Sequence, residues 1–127
     1  MVSIYWLIPL YLVHWFADFI MQPQHNRENK WHDNGALTGH IGYYSILWWI
    51  TWAIFLITWD AHNGTLMVPF SLFVLINIGS HWIIDYVTSR ESHKYFAVKD
   101  YWNGFNVVGF DQMLHYLILT ISFLVLF

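Results

Sequence analysis

The sequence predicts an all-α protein: a four-helix transmembrane bundle with both termini on the outer side. Three observations predict it. The chain is 57% hydrophobic and only 10% charged, whereas soluble domains carry about 25% charged residues. Four apolar segments, near residues 2–22, 36–59, 66–88 and 107–127, have the length of about 20 residues that a hydrocarbon layer requires. All five basic residues lie between the first and second segments (Arg27, Lys30) or between the third and fourth (Arg90, Lys94, Lys99). With four spans those two connections share a side, which the positive-inside rule makes cytoplasmic. Residues 1–127 then form a single transmembrane domain.

The first segment reads as a retained span. It has no basic leader and no small-residue cleavage site, and it carries His14 and Asp18. Pro9 either kinks this span or marks where its regular helix starts. Asn34-Gly35 precedes the second span, and residues 60–64 make the outer turn through Asn63-Gly64. Pro69 suits the first turn of the third span, where a missing N–H costs little. Asn103-Gly104 reads as a turn before the fourth. Trp6, Trp31, Trp59 and Trp102 fall near the expected interfaces. The chain has no cysteine, which removes disulfides, thiolate metal sites and cysteine nucleophiles. A formal charge of -3 argues against nucleic acid as a partner. Membrane lipid is the expected partner, and an oligomer is left open.

Three of the four spans carry a histidine and an aspartate four residues apart: His14/Asp18, His81/Asp85 and Asp111/His115. Ionisable groups inside a bilayer are costly, and where they persist they mark functional sites. Four residues is one helical turn, so each pair leaves one face of its helix. The first and third spans run inward with His before Asp, and the fourth runs outward with the order reversed. In all three the aspartate therefore lies nearer the cytoplasm and the histidine about 6 Å deeper. The second span adds His40 one turn from its cytoplasmic start. Imidazole and carboxylate are ligands of zinc, manganese and iron. The seven candidates, His14, Asp18, His40, His81, Asp85, Asp111 and His115, suit two divalent ions, or one ion whose histidines are oriented by further carboxylates. A plain ion-pair network between helices and a proton relay are the competing readings.

Gln22, Asn77 and Gln112 lie beside this set, suited to orienting it, to contacting substrate, or to bonding helices together. His25, His32, His62 and His93 read as solvated loop residues, with His25 or His93 the alternative candidates to join the site. Arg27, Lys30, Arg90 and Lys94 either set topology and attract anionic lipid or hold a phosphate above the metal layer. His14-Trp15-x-x-Asp18-Phe19 also matches His81-Trp82-x-x-Asp85-Tyr86, a weak internal repeat of two hairpins.

The stretch His14-Trp15-Phe16-Ala17-Asp18-Phe19-Ile20-Met21-Gln22, then Glu28-Asn29-Lys30, His40, His81 with Asp85, and Asp111-Gln112 with His115 resembles one known family. It is the small integral-membrane proteins grouped as domain of unknown function 3307 (DUF3307), found in bacteria and their phages. The resemblance implies a multi-pass protein of the bacterial inner membrane, and the short chain suits a phage or prophage member. It implies no activity. The His/Asp pattern is also similar, in style of motif only, to small bacterial membrane proteins described as metal-dependent hydrolases.

Three functions follow as expectations. The first is a metal-dependent hydrolase at the cytoplasmic leaflet acting on an amphiphilic substrate, a lipid or phosphate ester. Asp18 or Asp111 would be its general base, and Gln22, Arg27, Lys30, Arg90 and Lys94 its substrate contacts. The second is transport of a metal ion or proton, against which stand the apolar outer halves of the spans. The third is a non-catalytic phage or host membrane factor. A holin fits less well because holins lack so many ionisable groups within their spans, and a di-iron oxidase because the Glu-x-x-His signature is absent.

Overall fold

A computed structural model describes residues 3–58 and 64–127. The described residues are helical, joined by short turns. A 3-10 turn, Ile4–Trp6, leads into α1 (Leu7–Trp15), which continues as a π turn, Phe16–Ile20. A short α2 (Gln24–Asn29) follows, then the long α3 (Asn34–Thr58), α4 (Met67–Ala97) and α5 (Tyr101–Leu126). The three long helices are apolar and long enough to cross a membrane. The first run, Ile4–Ile20, is apolar but shorter. The turn expected at residues 60–64, with Trp59 and His62, lies outside the described residues except for Gly64.

The distribution of side chains is inverted relative to a water-soluble domain. Ile8, Leu12, Ile50, Ile54, Leu75, Ile83, Leu117 and Val125 lie on the exterior, while His14, Asp18, His40, His81, Asp85, Asp111 and His115 are buried. An apolar exterior around a polar interior is what a lipid surrounding selects. One end of the interior is closed by an aromatic core of Tyr44, Trp48, Phe55, Phe70, Phe73 and Phe123 with Leu10 and Leu119. Phe55 and Phe70 stack at 4.6 Å between α3 and α4. Asn77 bonds α4 to α5 through Ser122 Oγ at 3.1 Å. It is polar glue between helices, away from the His/Asp cluster.

Several boundaries differ from the hydropathy reading, each for a local reason. Pro9 occupies the third position of α1, among the amides that have no partner within the helix, so the helix starts beside it. Pro69 falls likewise in the first turn of α4. Helix α3 is capped by Asp33, whose Oδ1 accepts from Gly35 N at 2.7 Å. Helix α4 runs nine residues past the expected 88, and α5 starts six before the expected 107. Apolarity ends there, but no residue breaks the helix. The turn joining them is at 98–100, not Asn103-Gly104. Lys99 takes φ 60, and Asp100 Oδ1 accepts from Asn103 N at 3.2 Å to cap α5. Gly104 is instead a point of close approach: a Cβ there would sit 2.5 Å from the Phe96 ring.

Helix α2 folds back over the basic end of the molecule and rests on α3. Its buried Asn26 sits against Gly39, where a Cβ would meet Asn26 Nδ2 at 2.8 Å. This contact lets α2 carry Lys30 into the interior.

Candidate metal centre

The side chains meet at the basic end of the interior, and the π turn explains how the first segment contributes. Met21 N bonds to Phe16 O at 3.1 Å, five residues back. The wide turn inserts a residue, as occurs often at functional sites, and buries Asp18 while Phe16 and Phe19 stay exposed.

Four atoms form the tightest group. His40 Nε2 lies 3.1 Å from Asp18 Oδ1, 3.1 Å from Asp85 Oδ2 and 3.2 Å from His81 Nε2. His81 Nε2 lies 3.3 Å from Asp18 Oδ1 and 3.6 Å from Asp85 Oδ2. A tetrahedral ion with ligand bonds of 2.0–2.1 Å has ligand–ligand edges of about 3.3 Å. Five of the six edges among these donors are therefore near the required length. A metal-free arrangement is awkward by comparison. Only one N–H can point into the gap between the two Nε2 atoms, whereas a cation accepts both lone pairs. The donor set, two imidazoles and two carboxylates, matches zinc, manganese or ferrous iron. Both rings have a buried Nδ1 with no hydrogen-bond partner, so their polar contacts are all made through Nε2. Metal-binding histidines commonly fix the other nitrogen with an acceptor. Here packing holds the ring: His81 lies between Tyr44, with centroids 4.0 Å apart, and a His115 stacked at 4.0 Å and 19°.

A second group adjoins the first. Asp18, Asp111 and His115 also offer ligand atoms within 4.8 Å of one another. His115 Nε2 is 3.3 Å from Asp85 Oδ1 and 3.4 Å from Asp111 Oδ2. Asp85 thus turns Oδ2 to the first group and Oδ1 to the second. Asp18 does the same, with Oδ1 toward the imidazoles and Oδ2 accepting from Gln112 Nε2 at 2.8 Å. Gln112 Nε2 also reaches Asp111 Oδ2 at 3.0 Å, and the Thr88 hydroxyl donates to Asp111 Oδ1.

His14 belongs to neither group. Its Nδ1 is 2.9 Å from Tyr44 OH, and its Nε2 is 3.4 Å from Gln112 Oε1 but 3.9 Å from Asp18 Oδ2. The residue read as a ligand instead fixes the amide that spans Asp18 and Asp111. The expected separation into two layers is also absent. The imidazoles are long enough to bring Nε2 down to the carboxylates one turn away, so six of the seven expected residues meet at one level.

Three carboxylates face this centre and one ammonium answers them. Lys30 Nζ lies 2.7 Å from Asp85 Oδ2. Burial works against its charge, but the Asp85 and Asp18 carboxylates outweigh that and hold its pKa above the ordinary lysine value. With neutral imidazoles, two negative charges remain uncompensated, the charge of one divalent cation.

A cavity of about 410 Å³ leads from Asp18, Asp85 and Asp111 to the basic end. Gln22, Arg27 and Lys30 line it; Arg90 and Lys94 do not. Arg90 stacks on Tyr86 at 3.8 Å and bonds to Asn34 Oδ1 at 2.7 Å, and Lys94 pairs with Glu91 at 2.6 Å on the surface. His93 lines the cavity too, stacked on Trp31 at 3.4 Å and 6°. Tyr44 and Thr88 carried no signal of their roles in the sequence. Gln112 orients Asp18 and Asp111, one of the roles its place beside Asp111 suggested, and His93 lines the cavity from α4 rather than from a loop.

No curated protein matches this chain, and no solved structure does. The model of a family described as "Protein of unknown function (DUF3307)" matches residues 6–127, and the chain belongs to that family.

Proposed function

We propose that the chain crosses the bacterial cytoplasmic membrane four times, as one domain with both termini outside. In this reading it binds a divalent cation (zinc, manganese or iron) near the inner face and hydrolyses an amphiphilic phosphate ester there. The observation that carries the metal site is the set of donor spacings of 3.1–3.6 Å around His40, His81, Asp18 and Asp85. The cavity supports hydrolysis over transport: it opens the centre toward the basic end, while Trp48, Phe73 and Leu119, all fully buried, close the opposite side.

A bound cation supplies a Lewis acid that brings a water's pKa toward neutrality. Asp111 borders the cavity, held by Thr88 and Gln112 and backed by His115. It accepts the water proton as the water oxygen attacks phosphorus. Asp111 then returns that proton to the departing ester oxygen as the P–O bond breaks, giving alcohol and phosphate. Asp18 shares the base role only where it is free of the cation. Arg27 and Lys30 orient the phosphate, and Gln22 contacts it from the cavity wall. The two-sided use of Asp18 and Asp85 favours a second reading, in which another cation sits on Asp18, Asp111 and His115. Metal content separates the two readings, at one or two ions per chain.

The test is phosphate release from a lipid phosphate ester by protein in nanodiscs, with metal analysis beside it. Chelator and His81→Ala should each abolish release, and manganese or zinc should restore it after chelation. Unchanged turnover by His81→Ala would end this reading.

A further inference from the structure

The cavity has an apolar side as well as a polar floor. Its apolar lining includes Phe19, next to Asp18 in the π turn, and Val108, one turn before Asp111 on α5. Phe19 is 40% exposed, so its ring borders both the cavity and the exterior. Beside Val108 stands Gly109, where an added side chain would meet open space. The neighbouring surface of α5, Phe105 and Phe110, is exposed and apolar. This apolar lining thus stands beside the carboxylates Asp18 and Asp111 in the chain and reaches the exterior at Phe19.

Arg27 also lines the cavity, and Lys30 lines it with its ammonium 2.7 Å from Asp85 Oδ2. Arg27 is exposed and takes part in no ion pair among the described residues. Guanidinium and ammonium together suit a phosphate. A volume of about 410 Å³ is that of a site for a small ligand. It holds a phosphate with its glycerol but not a long acyl chain as well.

We propose that the apolar lining at Phe19 and Val108 forms a lateral portal, through which a membrane lipid with a terminal phosphate places its head group beside the carboxylates and Arg27 while its acyl chains stay in the bilayer. The occupant comes from the leaflet, not from the aqueous phase. Charge complementarity selects the head group: Arg27 and Lys30 attract a phosphate monoester, and a choline-capped phosphate brings its own cation into conflict with them. The portal rests on the proposed hydrolase only for the fate of the phosphate; binding can be read without turnover.

The probe is dioleoyl phosphatidic acid in phosphatidylcholine nanodiscs, with glycerol 3-phosphate as its soluble counterpart. Retained lipid is read by native mass spectrometry, and manganese content is measured on the same samples. Wild type should retain phosphatidic acid over phosphatidylcholine, and a hundredfold excess of glycerol 3-phosphate should not displace it. Val108→Trp, which adds bulk to this lining, should cut retention at least tenfold at unchanged manganese content. Val108→Phe, a smaller insertion at the same lining position, serves if Val108→Trp misfolds. Arg27→Gln should lose the preference for phosphatidic acid. Displacement by equimolar glycerol 3-phosphate, equal retention of phosphatidylcholine, or wild-type retention in both Val108 variants would each overturn the portal. Retention that depends on Arg27 in a protein that binds no manganese would leave the portal standing and remove the hydrolase.

Discussion

If His40, His81, Asp18 and Asp85 hold a cation, that cation must stabilise the fold by a calculable amount. A ligand that binds only the folded protein contributes about 2.7 kcal/mol at a hundred times its dissociation constant. For a chain of 127 residues this corresponds to a rise in Tm of roughly 8–14 °C. The double variant His40→Ala, His81→Ala removes two of the four donors whose mutual spacing is 3.1–3.6 Å. Loss of a single residue that merely orients a ligand already costs about 10–100-fold in metal affinity, so loss of two ligands should cost at least ~100-fold. At the same metal concentration the stabilisation then falls to about 0.4 kcal/mol, or roughly 2 °C. The assay is thermal unfolding in detergent, with chelator and then with manganese or zinc, for wild type and double variant. A metal-dependent rise of equal size in both proteins would refute the assignment. So would a wild type that melts at one temperature with and without metal.

Other consequences can be checked the same way. Lys30→Met strips Asp85 of the one ammonium that pairs with it among the described residues, at 2.7 Å; breaking a buried pair costs about 3–5 kcal/mol, so this variant should melt much lower in chelator and recover a large part of the loss with metal. Gly104→Val places a side chain against the Phe96 ring, 2.5 Å from the Cβ position; overpacking should cost about 1–3 kcal/mol, and adding Phe96→Ala should restore part of it in a double-mutant cycle. Asn77→Ala removes the 3.1 Å bond to Ser122 and should cost about 0.6–1.7 kcal/mol in denaturant titrations without changing metal content.

The residues that converge were legible because ionisable groups stand out against an apolar background, and the reversed order of Asp111 and His115 revealed the direction of the last helix. Their geometry was less so. Helical periodicity places Cβ atoms, not the ends of long side chains, so it could not show that Nε2 and carboxylate would share one level. His14 carried the same signal as His81. What separates them is Tyr44, thirty residues away, which captures the His14 ring at 2.9 Å. Helix ends were legible where proline marks them, at Pro9 and Pro69, and obscure where hydropathy stood in for them. Apolarity ends before backbone hydrogen bonding does, as the last turns of α4 and the first of α5 show. The turn at Lys99 was hidden because lysine seldom adopts φ 60.

The widened turn at Phe16–Ile20 makes the register of the first segment depend on chain length. Inserting one further residue there would exceed what the wide turn absorbs, and everything before it would swing by about 100°. Tyr11 would leave Thr120, 2.5 Å away, and His14 would leave Tyr44. Substitutions at the outward Phe16 and Ile20 keep the count and should be tolerated. A single-codon insertion between them should act like the loss of several contacts at once. This stretch therefore works as a spacer, more sensitive to the number of its residues than to their identity.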